Sequence, residues 1–188
     1  ESELVRSLVG FFLLFLLFVG LFIFIVPSTH QSSKIAEKIK SIKNENVTYV
    51  AIGDSLTQGV GDSSNQGGFV PVLSQALESD FDWQVTSRNY GIAGNTSNQI
   101  LKRMQEKKDI QRDLKKAKVM TLTVGGNDVI HVIKDNITNL NVATFTKPAQ
   151  AYQKRLGQII ELARKENKTL PIYIVGIYNP FYLNFPEM

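Results

Sequence analysis

Short runs of strand length alternate with amphipathic stretches along most of this 188-residue chain. The strand-length runs are rich in apolar and β-branched residues, whereas the stretches between them repeat apolar residues every three or four positions. Strands that alternate with helices predict an α/β domain with a parallel, doubly wound sheet. The predicted strands are residues 47–52, 83–88, 118–124 and 170–177, and the predicted helices are residues 69–77, one that begins at residue 96 or 97, and residues 148–165.

Basic and acidic side chains crowd the stretch 102–116, after the second predicted helix begins. The two signs are interleaved, and the formal net charge of the whole chain is only +4. Interleaved charges are typical of a solvated surface with salt bridges, whereas a nucleic-acid surface needs a less diluted basic patch. We therefore predict that nucleic acid is not a partner.

An uninterrupted apolar run covers residues 8–26. As a helix it would be about 28 Å long, close to the thickness of the bilayer hydrocarbon. We predict a single membrane anchor in residues 1–27. A signal peptide is the alternative, but the apolar region of such peptides is usually shorter than this run. Residues 28–46 are polar and lysine-rich and are predicted to form a linker, helical over 33–42, that leads to a domain over residues 47–188.

Three of the predicted strands are followed by glycines and small polar residues. The first ends in Gly53-Asp54-Ser55-Leu56, the second leads into residues 89–96 with the sequence NYGIAGNT, and the third leads into residues 125–128 with the sequence GGND. Ligands of open α/β sheets bind at the carboxyl ends of the strands. A hydroxyl, a bare backbone amide and a carboxamide at that edge are the parts of an acyl-transfer site.

These three blocks, in this order and spacing, resemble the GDSL or SGNH family of esterases and lipases over roughly residues 47–180. The resemblance implies a three-layer α/β/α, flavodoxin-like fold with strand order 2-1-3-4-5. It also implies that Ser55 is the nucleophile and that the backbone amides of Ser55 and Gly94, with the side chain of Asn127, hold the oxyanion. Asp54 and Asp128 are expected to support the site by hydrogen bonding to their own turns. No metal or organic cofactor is expected.

The last block of that family, D-x-x-H, supplies the histidine base and the aspartate that orients it. No such block follows the third one in this sequence, and a fifth strand and closing helix are not predicted either. We therefore expect a C-terminally incomplete hydrolase domain that is inactive as it stands. The string Asp128-Val-Ile-His131 does spell D-x-x-H, but it overlaps the third block, so a base role for His131 is the less favoured alternative.

The resemblance implies an ester substrate, either a lipid or an ester of the cell envelope. Small membrane-anchored members from Gram-positive bacteria suggest a single-pass protein with an extracytoplasmic catalytic domain, although the lysines after residue 26 favour the opposite orientation. The sequence has no cysteine, which excludes disulfides and a thiolate nucleophile. Two alternatives remain open: a membrane-tethered, non-catalytic module that binds lipid or carbohydrate, and a nonfunctional truncated product. The sequence predicts no oligomeric state.

Overall fold

Four parallel strands form the sheet of the computed structural model, which describes residues 45–176. Their order across the sheet is β2-β1-β3-β4. This arrangement confirms the predicted parallel sheet and agrees with the implied strand order as far as the fourth strand. The strands are β1 (Glu45–Gly53), β2 (Trp83–Gly91), β3 (Ala117–Thr123) and β4 (Ile172–Val175).

Six helices connect or follow these strands within the same range of residues. The third helix begins directly after Thr96, whose capping box with Gln99 confirms the predicted start. The first, fourth and fifth helices were not predicted as separate elements. The helices are α1 (Ser55–Gln58), α2 (Phe69–Phe81), α3 (Ser97–Glu106), α4 (Lys108–Lys116), α5 (Gly126–Asp135) and α6 (Val142–Glu166).

Both faces of the sheet are covered by helices. Alternate side chains of a strand point to opposite faces, so a central strand packs against both helical layers. On β1, Tyr49 and Ala51 pack with α2 on one face. Val50 and Ile52 pack on the other face, in the larger core formed with α3, α4 and α6. The result is a three-layer arrangement in which β1 is buried on both sides, as expected for a central parallel strand.

The helix α6 begins six residues before its predicted start at Pro148. Asn141 caps it: its side chain accepts a hydrogen bond from the Thr144 amide at 3.2 Å, and the Thr144 hydroxyl lies 3.3 Å from the Asn141 amide in return. Pro148 therefore lies inside the helix, where it removes one hydrogen bond. The predicted start of this helix was therefore wrong, because the capping pair upstream of the proline was missed.

The charged stretch 102–116 is only partly the solvated surface that its pattern predicts. Most of its lysines are exposed, but Asp113 on α4 is only 6% exposed. Its carboxylate accepts hydrogen bonds from the Tyr90 hydroxyl at 2.7 Å and from Arg112 Nε at 3.0 Å, and Arg88 Nε lies at 3.5 Å. Asp113 therefore fastens α4 to the carboxyl end of β2.

None of the helices within residues 45–176 has both the length and the apolar character needed to cross a bilayer. The predicted anchor in residues 1–27 and almost all of the predicted linker, including its helical stretch 33–42, lie outside the described residues. His30 lies outside them as well, as does the chain beyond residue 176.

We predict that Asp113→Asn destabilises the protein in a pH-dependent way. Burial raises the pKa of Asp113, but the hydrogen bonds from Arg112 and Tyr90 outweigh it and leave the pKa below its ordinary value. A carboxyl group with a depressed folded-state pKa stabilises the fold above its unfolded-state pKa, and that stabilisation is lost as the pH falls through the folded-state value. At pH 7 the substitution should cost about 1–3 kcal/mol in urea unfolding.

The cost of Asp113→Asn should shrink steadily once the pH falls below about 4, the usual pKa of an aspartate. Asp109→Asn, an exposed site on the same helix, is the matched control and should change stability little at any pH. A pH-independent cost at Asp113 would show that the carboxylate charge is not what stabilises α4.

Candidate active site

Ser55 lies at the carboxyl end of the central strand β1, as the sequence predicts. Asp54 caps α1, and its carboxylate accepts a hydrogen bond from the Leu56 amide at 3.1 Å. Ser55 is the first residue of that helix and is half-buried, whereas Asp54 is only 5% exposed. Asp54 therefore hydrogen-bonds to its own turn, while its supporting role in the site stays a prediction. Ser55 lies at the start of a capped helix and is accessible in part.

A cluster of buried hydroxyls joins this turn to the end of β3. Thr123 Oγ1 donates to the Asp54 carboxylate at 2.8 Å and accepts from the Asp54 amide at 3.1 Å. The Thr57 hydroxyl lies 2.9 Å from Thr123 Oγ1 as well. Neither threonine stood out in the sequence, although each lies within three residues of a recognised block.

Gly53 is needed for space at this cluster. A Cβ atom there would lie 2.1 Å from Thr123 Oγ1 and 2.5 Å from Thr57 Oγ1. The backbone of Gly53 is not in the left-handed region, so the close approach of β3 is the actual reason for a glycine.

The second block lies directly beside the serine turn. Gly53 and Gly91 are paired across β1 and β2, and the Ile92 amide donates to the Gly53 carbonyl at 3.1 Å. Gly94 follows in a left-handed conformation with φ of 79°. Within residues 45–176 its amide N–H has no hydrogen-bond acceptor, and the residue is exposed. This amide is free to donate to a ligand.

The third block begins with Gly125, which precedes α5. Asn127 lies in the first turn of α5, and its Nδ2 donates to the Asn95 carbonyl at 3.0 Å. Since β1 and β3 are neighbours, the serine turn and the Asn127 turn leave from adjacent strand ends. The structure therefore brings the three predicted blocks together at one edge of the sheet.

Asp128 does not bond to its own turn, so the prediction for this residue was wrong. Its carboxylate accepts hydrogen bonds from the Ser97 amide at 2.8 Å and the Ser97 hydroxyl at 2.5 Å. Arg155 on α6 adds a third contact, with Nη2 at 3.1 Å from the carboxylate and Nε donating to the Ser97 hydroxyl at 2.7 Å. Asp128 therefore joins the starts of α3 and α5 to α6. No pattern in the sequence could have paired it with Arg155, which is 27 residues away.

His131 is exposed on α5, and within the described part of the chain it makes no hydrogen bond or ion pair. The Ser55 hydroxyl likewise has no hydrogen-bond partner among residues 45–176. The same range contains no group of three or more histidine and acidic side chains that could hold a metal ion. The described site thus offers a hydroxyl and hydrogen-bond donors, with no base in contact with the hydroxyl.

An apolar cavity of about 110 Å³ lies between α5 and α6. Two of its lining residues, Gly125 and Asp128, flank the start of α5 that carries Asn127. Most of the remaining lining is aliphatic or aromatic. The lining residues are Gly125, Asp128, Val129, Val132, Phe145, Pro148, Ala149 and Tyr152.

Comparisons with known proteins agree with the resemblance to GDSL esterases and lipases. The model of the GDSL-like Lipase/Acylhydrolase family matches residues 51–188. The uncharacterized protein YpmR of Bacillus subtilis (strain 168) is 33% identical over 163 residues, which cover 86% of this chain and 63% of YpmR. The spore germination lipase LipC of Bacillus licheniformis is 30% identical over 138 residues, covering 71% of this chain and 64% of LipC.

The fold is also similar to that of a solved lipase. The crystal structure of the lipase Lip_vut3 from a goat rumen metagenome superposes with a TM-score of 0.67 at 28% identity, covering 72% of this chain and 66% of Lip_vut3. The chain spans a little less than two thirds of the length of the curated relatives that it matches. The three blocks at one sheet edge and the match to the family model over most of the sequence lead to one conclusion: this chain belongs to the GDSL-like lipase/acylhydrolase family.

Proposed function

We propose that the protein hydrolyses acyl esters through a covalent acyl-enzyme on Ser55. The observation that carries this proposal is the meeting of the three blocks at the carboxyl edge of the sheet. Ser55 is held beside β3 by the Asp54–Thr123 contacts, and Asn127 is hydrogen-bonded to the loop that contains Gly94. A nucleophile with several donors beside it is the arrangement that acyl transfer requires.

In the proposed reaction the Ser55 hydroxyl attacks the ester carbonyl carbon while a base takes its proton. The carbonyl oxygen becomes an oxyanion, which the amides of Ser55 and Gly94 and the carboxamide of Asn127 stabilise. The alcohol leaves with a proton from the protonated base, and the acyl group stays on Ser55. Water then attacks the acyl-enzyme by the same route and releases the carboxylic acid.

We propose that the base is the histidine of a D-x-x-H block and that His131 does not take this role. Two observations support this. His131 is exposed and has no carboxylate partner among residues 45–176, whereas a catalytic imidazole is oriented by a third group. The matched curated relatives are also longer than the aligned region, with 63% and 64% of their lengths covered.

The proposed substrates are esters of a lipid or of the cell envelope. The apolar lining of the cavity between α5 and α6 suits an aliphatic acyl group, and this cavity begins beside the turn that carries Asn127. The similarity to proteins named as lipases supports the same substrate class. A hydrophobic acyl group in this cavity would lie beside the turn that carries Asn127.

We propose further that residues 8–26 anchor the protein in the cell membrane, with the hydrolase domain on the extracytoplasmic side. The support is the length of the uninterrupted apolar run and the resemblance to membrane-anchored family members. Such an anchor would keep the enzyme close to lipid and envelope esters.

The first prediction of this proposal concerns Ser55 and the base. Residues 1–188 should hydrolyse p-nitrophenyl acetate barely above background, because loss of the histidine alone costs about 10⁶ in kcat in one serine hydrolase. A polypeptide extended through a D-x-x-H block should be active and should react with a fluorophosphonate probe. Ser55→Ala should abolish both signals.

The matched control for this experiment is His131→Ala in the extended protein, which should stay active. Rapid turnover by residues 1–188 that His131→Ala abolishes would make His131 the base. An extended, folded protein that neither turns over esters nor reacts with the probe would instead favour a non-catalytic binding module.

A second prediction concerns the oxyanion. In the active protein, Asn127→Ala should lower kcat by roughly 10²–10³ and leave KM nearly unchanged, because one donor to the developing charge is lost. Steady-state kinetics with a series of acyl esters measures this. Asn136→Ala, just beyond the end of α5, is the control and should retain the wild-type kcat. An unchanged kcat in Asn127→Ala would remove Asn127 from the proposed role.

A third prediction concerns the membrane. Deleting residues 1–27 should move the protein from the membrane fraction to the soluble fraction, because the apolar run would be gone. Fractionation of cells that express each form, followed by immunoblotting, measures the change. Full-length, uncleaved protein found in the soluble fraction without detergent would contradict the anchor.

A further inference from the structure

The guanidinium group of Arg103 spans the two ends of the loop that carries Gly94. Nη2 donates to the Tyr90 carbonyl, near the end of β2, at 2.6 Å. Nη1 donates to the side-chain oxygen of Asn95, at the far end of the same loop, at 2.9 Å. Arg103 lies in the last turn of α3, so a residue of the following helix holds the loop that precedes that helix.

Asn95 carries this contact on to the proposed oxyanion donors. The Asn95 side chain is held by Arg103, and its backbone carbonyl accepts the hydrogen bond from Asn127 Nδ2 at 3.0 Å. Asn95 is only 8% exposed, so water is a poor substitute for either contact. Two consecutive hydrogen bonds thus connect the Arg103 guanidinium with the Asn127 carboxamide.

Gly94 lies between the two points that Arg103 holds. Its amide has no acceptor within residues 45–176, and its side of the loop is exposed. A glycine in the left-handed region has wide conformational freedom, so its direction depends on how firmly the neighbouring residues are fixed. The contacts to Tyr90 and Asn95 supply that fixation on both sides of Gly94.

An arginine suits this task better than a lysine does. The planar guanidinium presents donors in a fixed fork, whereas a lysine ammonium is a single point of charge on a flexible stem. A single ammonium group would donate to the Tyr90 carbonyl or to the Asn95 side chain, but not to both in the present geometry. The two simultaneous contacts therefore depend on the shape of the side chain as well as on its charge.

We propose that Arg103 is a positioning residue that orients two donors of the oxyanion hole, the Gly94 amide and the Asn127 carboxamide. This inference rests on the proposed function of those donors in ester hydrolysis. Arg103 acts through Asn95 and does not itself contact the substrate. Misplacing a group in an active site by about 1 Å can cost 10²-fold in rate, so the loss of this support should be visible in kcat.

The kinetic test uses the active, full polypeptide with Arg103→Met, Arg103→Lys and the matched control Lys102→Met. Lys102 is the neighbouring residue on α3, and its side chain is 69% exposed. Arg103→Met should lower kcat for short acyl esters by about 10–100-fold with little change in KM, since the contacts matter most in the transition state. Arg103→Lys should recover only a small part of the loss, and Lys102→Met should lose nothing.

A double-mutant cycle separates positioning from a general structural role. If Arg103 orients Asn127 by way of Asn95, Arg103→Met should lower kcat by a smaller factor in an Asn127→Ala background than in the wild type. Equal factors in the two backgrounds would overturn the coupling of Arg103 to Asn127. A wild-type kcat in a folded Arg103→Met protein would overturn the proposal as a whole.

A measurement that needs no activity accompanies the kinetics. In ¹⁵N-labelled protein, the Gly94 amide and the Asn127 carboxamide signals should shift or broaden in Arg103→Lys and Arg103→Met, and stay in place in Lys102→Met. Unchanged signals in the Arg103 variants would overturn the proposal. If Arg103→Met does not fold, the Arg103→Lys comparison decides. An inactive wild type would count against the proposed ester hydrolysis, and the NMR comparison would still decide whether Arg103 orients these two groups.

Discussion

The contact between Thr123 and Asp54 is the constraint on which the rest of the site depends. It joins the end of β3 to the turn after β1 through two hydrogen bonds, to the amide and to the carboxylate of one residue. All of these groups are buried, so each of them would be costly to leave unpaired. Gly53 leaves the space for this contact, since any side chain there would collide with Thr123. The position of Ser55 relative to the start of α5 follows from it.

A second set of contacts joins the serine turn to β2 and to the loop that follows β2. The Asn89 side chain donates to the Thr57 carbonyl at 2.7 Å, and the Gln58 side chain accepts from the Ala93 amide at 2.5 Å. The serine turn is thus attached to β3 through threonine hydroxyls and to the β2 loop through amide side chains. The loop is fixed again from α3 by Arg103. If Gly94 and Asn127 are the oxyanion donors as proposed, these contacts would hold them in place before a substrate binds, which is the condition for strong electrostatic stabilisation.

The strands and their parallel order could be predicted because apolar runs, glycines and helix caps are local signals. The three blocks could be predicted to meet because the carboxyl ends of parallel strands share one edge of the sheet. The start of α6 was missed because a proline inside a helix resembles a proline at its first turn, and only the Asn141–Thr144 capping pair distinguishes the two.

The partners of buried charges could not be predicted from the sequence. Asp113 pairs with Tyr90 over 23 residues, and Asp128 pairs with Ser97 over 31 residues. Asp113 lies in a charged stretch, where it looks like any solvated residue, since its burial is set by how the helices pack on the sheet. Arg103 is a similar case. It belongs to a basic cluster that predicts a surface, but its guanidinium is directed at the backbone of the preceding loop.

The contacts of Asp128 show how the fold reconciles a carboxylate with a site that is proposed to stabilise negative charge. An unpaired anion one residue from Asn127 would oppose a developing oxyanion, because charges interact strongly where water is partly excluded. Ser97 and Arg155 occupy both carboxylate oxygens, and the Arg155 guanidinium supplies the opposite charge at 3.1 Å. The side chains of this ion pair are only 14% and 25% exposed, so solvent screens it less than an exposed surface pair. Asp128 can therefore fasten α3, α5 and α6 together while adding little net negative charge beside the proposed oxyanion hole.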